Sequence, residues 1–469
     1  MRKTTLLTAS AILTVPAAMA AAQVPTVIYS NLPGEPTNQI PGLSSGWDPD
    51  FGFFTLNASP SGEFWLLNFQ SDDDTPIEVL VAGSGTTGTV VLEEFTPLLS
   101  TGRNVSGIDS SGRINDSGQW AIGGDLDDDS STDDFIISGD LSGPVAIIAQ
   151  EGQTIPAAFG FDPGDTFDTL DSTAIDAAGN VYFNSSGLDG PTFSTGNDDV
   201  FFVSNNTTLL RAGVDVPTNQ SGGTTEAYDG FDLDDFHVSA DGSSFLVRAD
   251  LEGSTADDDA LFVDGAVVIQ ENRTLSDAGI VGADALTAVV DSGFGGIDQQ
   301  FMAGNGDWYA FGQVFDGNDT DWAVRNGEII AVSGDSITPG SSETWDDPNG
   351  GIQDFSFLKG NANGDYVLAG LTSAGDVVAV VNGTDVVLRT GDELDLDFDG
   401  VGDGVFLLDF EFNEAALGDN NVLYALATFA DANGAEIGGG FISVIVPEPT
   451  SLSLLACTTL LLTRRRRAC

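Results

Sequence analysis

A polar turn returns about every 60 residues along this 469-residue chain, and that period restricts the fold more than any other feature. Its copies are Pro60-Ser61-Gly62, Asp116-Ser117-Gly118, Ala177-Ala178-Gly179, Ala240-Asp241-Gly242, Gly304-Asn305-Gly306 and Asn361–Gly364. A degenerate copy sits at Gly418–Asn421. An aromatic or β-branched residue follows each: Phe64, Trp120, Val181, Phe245, Trp308, Tyr366 and Val422. The clearest unit runs from Phe355 to Asp392. It holds four short β runs: Phe355–Leu358, a run through Tyr366 and Leu368, Val377–Val381 and Val386–Arg389. Asn/Gly turns and a polar loop separate them, as in a four-stranded antiparallel meander. One such sheet has two apolar faces and little core, so units must stack to exclude water. The chain is therefore expected to be all-β, a β-propeller of about seven four-stranded blades.

The two chain ends predict how the ring closes. The last unit runs Phe406–Phe412, Val422–Phe429 and Gly439–Ile445, then stops one strand short. The first strand, Thr26–Ser30, is followed by Pro36–Gln39, which reads Pro-Thr-Asn-Gln. The same four residues, Pro217–Gln220, follow the fourth strand Thr208–Ala212. That match places the first strand in fourth-strand register, where it completes the last blade and hides two sheet edges.

Three segments follow from composition. Residues 1–22 read as a secretion signal, with Arg2 and Lys3, a short apolar run Leu6–Val15 and the small-residue site Ala18-Met19-Ala20. Residues 23–445 form the repeat body, with no Pro- or Ser-rich linker to divide it. Ser276–Val290 is its best helix candidate. Residues 446–469 form a tail that carries both cysteines, Cys457 and Cys469, so no disulfide staples the body. Eight cations against 71 acids leave the body at −63. That charge excludes nucleic acid as a partner, because phosphate contacts need clustered cations. It also implies a salty or divalent-rich exterior, or an acidic surface that serves solubility.

The tail joins Pro447-Glu448-Pro449 to an apolar stretch, Leu452–Leu462, and then to Arg464, Arg465, Arg466 and Arg467. This order resembles the PEP-CTERM sorting signal of bacteria. The resemblance implies cleavage near the triplet by an exosortase, transient residence in the inner membrane, and delivery to the envelope surface or an extracellular matrix. The apolar part is short for a full span, and a plain uncut anchor is the alternative. The body in turn resembles the exported tandem-repeat proteins that often carry this tag, whose turn is Asn-x-x-Gly, as at Asn115–Gly118 and Asn361–Gly364. That resemblance implies fold and location only.

Carboxylates at Asp395, Asp397, Asp399 and Asp403, with Gly400 between, match positions 1, 3, 5, 9 and 6 of a calcium loop. Phe406 stands where the bidentate Glu is expected, and Asp409 is a substitute candidate. Asp125, Asp127, Asp129 and Asp133 repeat the oxygen spacing without the glycine. Both predict structural Ca²⁺; a solvated acidic loop is the plainer alternative. Similar acidic clusters stand between second and third strands elsewhere, at Asp72–Asp74, Asn197–Asp199, Asp257–Asp259 and Asn318–Asp321. His237 is the chain's one histidine, read as packed or exposed on a strand rather than catalytic. The six tryptophans are blade core or sugar-stacking platforms. The sequence thus predicts a non-enzymatic surface or matrix protein with a binding or adhesion role, extracellular polysaccharide being one partner. The alternative is a secreted carbohydrate-active hydrolase or lyase using a carboxylate pair in the central channel.

Overall fold

The computed structural model describes residues 24–447, apart from 49–54, 73–75, 100, 110–111, 129, 192, 194–197, 221–224, 254–257, 292–295, 317–319 and 347–353. The signal segment, the sorting tail beyond Pro447 and Asp129 lie outside the described residues. The body is a seven-bladed β-propeller. Blade 1 is Thr55–Ala58, Trp65–Gln70, Glu78–Ser84 and Thr87–Glu93, each strand antiparallel to the next. Blades 3 to 6 repeat this order, with inner strands at Leu170–Ile175, Tyr228–Val238, Gln299–Met302 and Phe355–Gly360. In blade 2 the inner strand is split into Val105–Ile108 and Arg113–Ile114, both paired to Trp120–Leu126.

Blade 7 confirms the predicted closure. Val405–Leu417, Val422–Ala430 and Glu436–Ile445 supply three strands, and Thr26–Ser30 supplies the fourth. Val27 pairs with Ile442 and Tyr29 with Phe441. The shared Pro-Thr-Asn-Gln has a physical role at both places. Gln39 Nε2 donates to Leu43 O at 2.6 Å, and Gln220 Nε2 donates to Glu226 O at 2.6 Å, so each glutamine ties down the loop leaving a fourth strand.

The apolar faces meet between neighbouring blades, which is where the cores lie. Between blades 7 and 1, Tyr29, Trp47, Trp65, Phe69 and Phe441 form one aromatic cluster, with Trp65 and Phe441 ring centroids 5.2 Å apart. Trp47, Trp65, Trp120 and Trp322 are fully buried, and Trp308 and Trp345 nearly so, which makes the tryptophans core. The region expected to favour a helix, Ser276–Val290, is instead turns with a single 3-10 turn at Ala283–Ala285. Its glycines Gly279 and Gly282 take left-handed φ values, which a helix interior does not use.

The repeated turn forms a belt around one end of the ring. Hydrogen bonds cross every junction: Ser61 N to Asp116 Oδ1, Asn115 Nδ2 to Asp176 O, Ala177 N to Ala240 O and Ala240 N to Gly304 O. Asn305 Nδ2 to Ala362 O, Asn361 Nδ2 to Gly418 O and Asp419 N to Pro60 O complete it. Within a turn the first side chain accepts two backbone N–H groups. Asn361 Oδ1 takes those of Asn363 at 3.1 Å and Asp365 at 3.0 Å. This is an Asx turn, and the left-handed residue after it is Gly364, at φ 87°. Gly304 faces the axis, where an added Cβ would lie 2.9 Å from Pro60 Cβ of blade 1. The turns therefore converge over the channel. We expect Asn361→Ala to cost about 1–3 kcal/mol, because it leaves buried groups without partners. Asn433→Ala, in an exposed outer turn, should cost under about 0.5 kcal/mol. Equilibrium urea denaturation of both variants checks the contrast.

Candidate functional site

The two acidic loops are placed differently from one another. In the first, Asp395, Asp397 and Asp403 each present a carboxylate oxygen within 4.8 Å of the others. Asp399 stands apart from this trio and accepts Val401 N at 2.8 Å. The loop is folded on its own acids: Asp395 Oδ2 accepts Gly400 N at 2.9 Å and Asp403 Oδ2 accepts Leu396 N at 2.7 Å. It also grips the closing strand, since Val27 N donates to Asp395 O and Asp395 N to Pro25 O. Asp409, the substitute ligand, is not in the cluster; it accepts Phe410 N and burial raises its pKa. Glu393, which spacing did not select, accepts Gly404 N at 2.9 Å.

In the second loop Asp125 and Asp133 come together with Asp134, which was not anticipated. Asp127 turns away and binds Asn104 through both carboxylate oxygens. Asp134 shows why acids recur at this point. Its Oδ2 accepts Leu170 N of the next blade at 3.0 Å. Glu78 accepts Ile108 N at 2.8 Å, Asp199 accepts Phe231 N, and Asp321 accepts Asp354 N. The acid near the start of each of these third strands staples its blade to the next inner strand, at the channel end opposite the turn belt. Burial raises each of these carboxyls; that of Asp321 reaches about 7. Blade 4 differs: Arg248 grips Asp259 through Nε and Nη2.

A third site was not read from sequence. The inner strands enclose a channel cavity of about 310 Å³ beneath the turn belt. Its wall includes Arg113 from blade 2, His237 from blade 4, Phe301 from blade 5, Lys359 from blade 6, and Asn413 and Glu414 from blade 7. A bulge brings the last two there. Phe410 pairs with Ala427 and Ala415 with Ala425, so four residues, Glu411–Glu414, stand opposite the single residue Leu426. Asn413 adopts a left-handed φ of 66°, a conformation that asparagine tolerates better than most non-glycine residues. Bulges of this kind re-aim side chains.

The electrostatics follow from that placement. Lys359, the body's one lysine, is 6% exposed. Its Nζ donates to Asn413 Oδ1 at 2.8 Å and lies 5.2 Å from the centre of the Phe301 ring. Glu414 Oε2 accepts Leu56 N at 2.7 Å. Burial raises the Glu414 carboxyl to about 7, outweighing the opposing pull of the Leu56 N–H, Lys359 and Arg113. His237 keeps some surface on the cavity but is ringed by protein. Burial, then Arg113 and Lys359, push its pKa well below 6.5, so the imidazole is neutral at pH 7. Among the described residues lining the cavity, Glu414 is the one carboxylate. The expected carboxylate pair is therefore not among them. The clue in the sequence was rarity: one lysine and one histidine in so acidic a body.

Comparisons with known proteins give one partial family match and several distant structural likenesses. Residues 65–270, from the second strand of blade 1 to the end of blade 4, match a family of unknown function, DUF7453. No curated protein matches the chain. Among solved structures, the C-terminal WD40 domain of Sif2 is similar at 10% identity and TM-score 0.35, over 92% of this chain and 100% of that one. The β-propeller domain of the Trilobed protease from Pyrococcus furiosus is similar at 7% identity and TM-score 0.37, over 82% and 93%. The α-L-arabinofuranosidase Arb93A from Fusarium graminearum is similar at 8% identity and TM-score 0.31, over 90% and 98%.

Proposed function

We propose that this chain is an exported, non-enzymatic binding propeller of the envelope surface or extracellular matrix that holds its ligand in the channel. One observation carries the binding role: a four-residue bulge sets Asn413 and Glu414 against Lys359 in a cavity large enough for a small ligand. Export and sorting rest on the sequence alone, on the leader and on Pro447-Glu448-Pro449 with its apolar stretch and arginines. An exosortase-type enzyme is the processing partner, and extracellular polysaccharide is the natural source of ligands. Intact-mass measurement of the exported protein tests the sorting: mass retained beyond the triplet removes it.

A specific observation favours a second reading, a carbohydrate-active hydrolase or lyase. Glu414, half-protonated near pH 7 beside Lys359 and Arg113, has the poise of a general acid or base. Incubating the protein with neutral and acidic polysaccharides separates the two. New reducing ends or unsaturated products, lost in Glu414→Gln, would replace the binding role with catalysis.

Calcium belongs to the proposal as a structural ion at Asp395, Asp397 and Asp403. The loop is bonded to the closing strand, so an ion there would brace the closed ring. Adding Ca²⁺ to chelated protein at about 100 times its Kd should stabilise it by about 2.7 kcal/mol. Asp403→Asn should remove most of that gain. An unchanged melting temperature on adding Ca²⁺ sinks the assignment.

A further inference from the structure

We infer that Lys359 and Asn413 react to form an isopeptide bond, an amide between their side chains that staples blade 6 to blade 7. This goes beyond the binding role proposed above and stands without it. Lys359 is the body's one lysine and is 6% exposed. Its Nζ donates to Asn413 Oδ1 at 2.8 Å, although the two residues are 54 apart in sequence. The amide carbon Cγ is bonded to that oxygen, about 1.2 Å from it. Nitrogen and carbonyl carbon are thus held close to the separation from which an amine attacks. Asn413 reaches the lysine only because four residues, Glu411–Glu414, bulge opposite Leu426. Phe301, whose ring centre is 5.2 Å from Nζ, walls one side of the pair.

Attack needs the free amine, and lysine, unlike arginine, can surrender its proton. Glu414 follows Asn413 in the chain, lines the same cavity and lies close enough to Lys359 to feel its charge. Burial raises its carboxyl to about 7, so near neutrality it can take a proton and return it. In the first step Glu414 accepts a proton from the ammonium. Nζ then bonds to Cγ, and the carbonyl electron pair moves onto Oδ1. As that pair returns, the Cγ–Nδ2 bond breaks. Nδ2 departs with a second proton from Nζ and the one held by Glu414, as ammonium. The lysine's charge leaves with it, Glu414 ends as it began, and no oxidant or cofactor is consumed. The place suits a staple. The body has no cysteine for a disulfide. A bond here ties the inner strand of blade 6 to the blade that receives Thr26–Ser30, and restricts the unfolded chain as a disulfide does.

Mass spectrometry of the purified, folded protein tests the inference. The chain should weigh about 17 Da less than its sequence, the mass of the ammonia lost. Trypsin should leave the bond after Lys359 uncut, because an acylated lysine carries no charge. The digest should hold one branched fragment whose fragmentation joins Lys359 to Asn413. Lys359→Arg and Asn413→Ala should each restore the full mass. Glu414→Gln keeps an acceptor for Leu56 N but carries no proton, so cross-linking should slow by about 100-fold or more. Should a variant fail to fold by circular dichroism, the wild-type branched fragment decides. Full mass and cleavage after Lys359, in protein aged for days at neutral pH, overturn the inference. So does the same mass loss traced instead to an Asn-Gly turn such as Asn433-Gly434, where the side chain closes on the next backbone nitrogen.

Discussion

Val27→Asp lowers the folding free energy by about 3–5 kcal/mol, the scale of an unpaired charge forced into a core. Val27 is fully buried on the strand that enters blade 7 from the other end of the chain. It packs in the same cluster as Leu394, Ala425 and Ile442, and its N–H donates to Asp395 O. An aspartate there would disturb the closing pair and the acidic loop together. Val145→Asp is the matched control. Val145 is 62% exposed on the outermost strand of blade 2, Gly143–Gln150, and its substitution should change stability by under about 0.5 kcal/mol. Urea denaturation followed by tryptophan fluorescence reads both, because Trp47 and Trp65 sit at the closing seam. Equal losses from the two variants would show that the seam carries no special share of stability.

Stability should fall as pH rises from about 4.5 to 8. Burial raises Asp321 from 3.8 to about 7 and Glu271 from 4.5 to about 8. In both, desolvation outweighs the groups that favour ionisation. A carboxyl whose folded pKa exceeds its unfolded one keeps its proton longer when folded. Its contribution is complete below the unfolded value and is lost as pH rises through the folded value. The window therefore runs from about pH 4 to pH 8, and each unit of elevation is worth about 1.4 kcal/mol. Asp321 alone accounts for about 4 kcal/mol at most. On the acid side the slope reverses, because hydrogen bonds hold Asp140, Asp241 and Asp431 below their usual range. Melting temperatures at pH 5 and pH 8 should differ by several degrees in favour of pH 5. Asp321→Asn should narrow the gap, chiefly by raising the value at pH 8. A higher melting temperature at pH 8 would contradict this account.

How legible was this molecule in its sequence? The blades were, because each unit repeats a local grammar of alternating strands and Asx turns. Closure was legible through one shared tetrapeptide, whose glutamine makes the same kind of loop bond at both positions. The acidic loops were half legible. Spacing found Asp395, Asp397 and Asp403 but could not foresee that Asp127 would turn to Asn104 or that Asp134 would join Asp125. The channel was illegible. Arg113, His237, Lys359 and Glu414 come from four inner strands, and no local pattern records that those strands face one axis. The bulge at Glu411–Glu414 hid for the same reason: its four residues continue a strand-like run and are betrayed only by the shorter strand opposite.

Because Thr26–Ser30 waits for Glu436–Ile445, the earliest strand made is among the last to find its place. Joining points on the order of 400 residues apart in a flexible chain costs about 5 kcal/mol of entropy, a cost that blades already stacked between them reduce. Until then Tyr29, Trp65 and the inner face of blade 1 remain sticky, and two half-made wheels can exchange ends and tangle. Afterwards the same long span works in reverse. The strand pairing leaves no free sheet edge where the two ends meet, so the finished wheel should resist conditions that unzip open sheets.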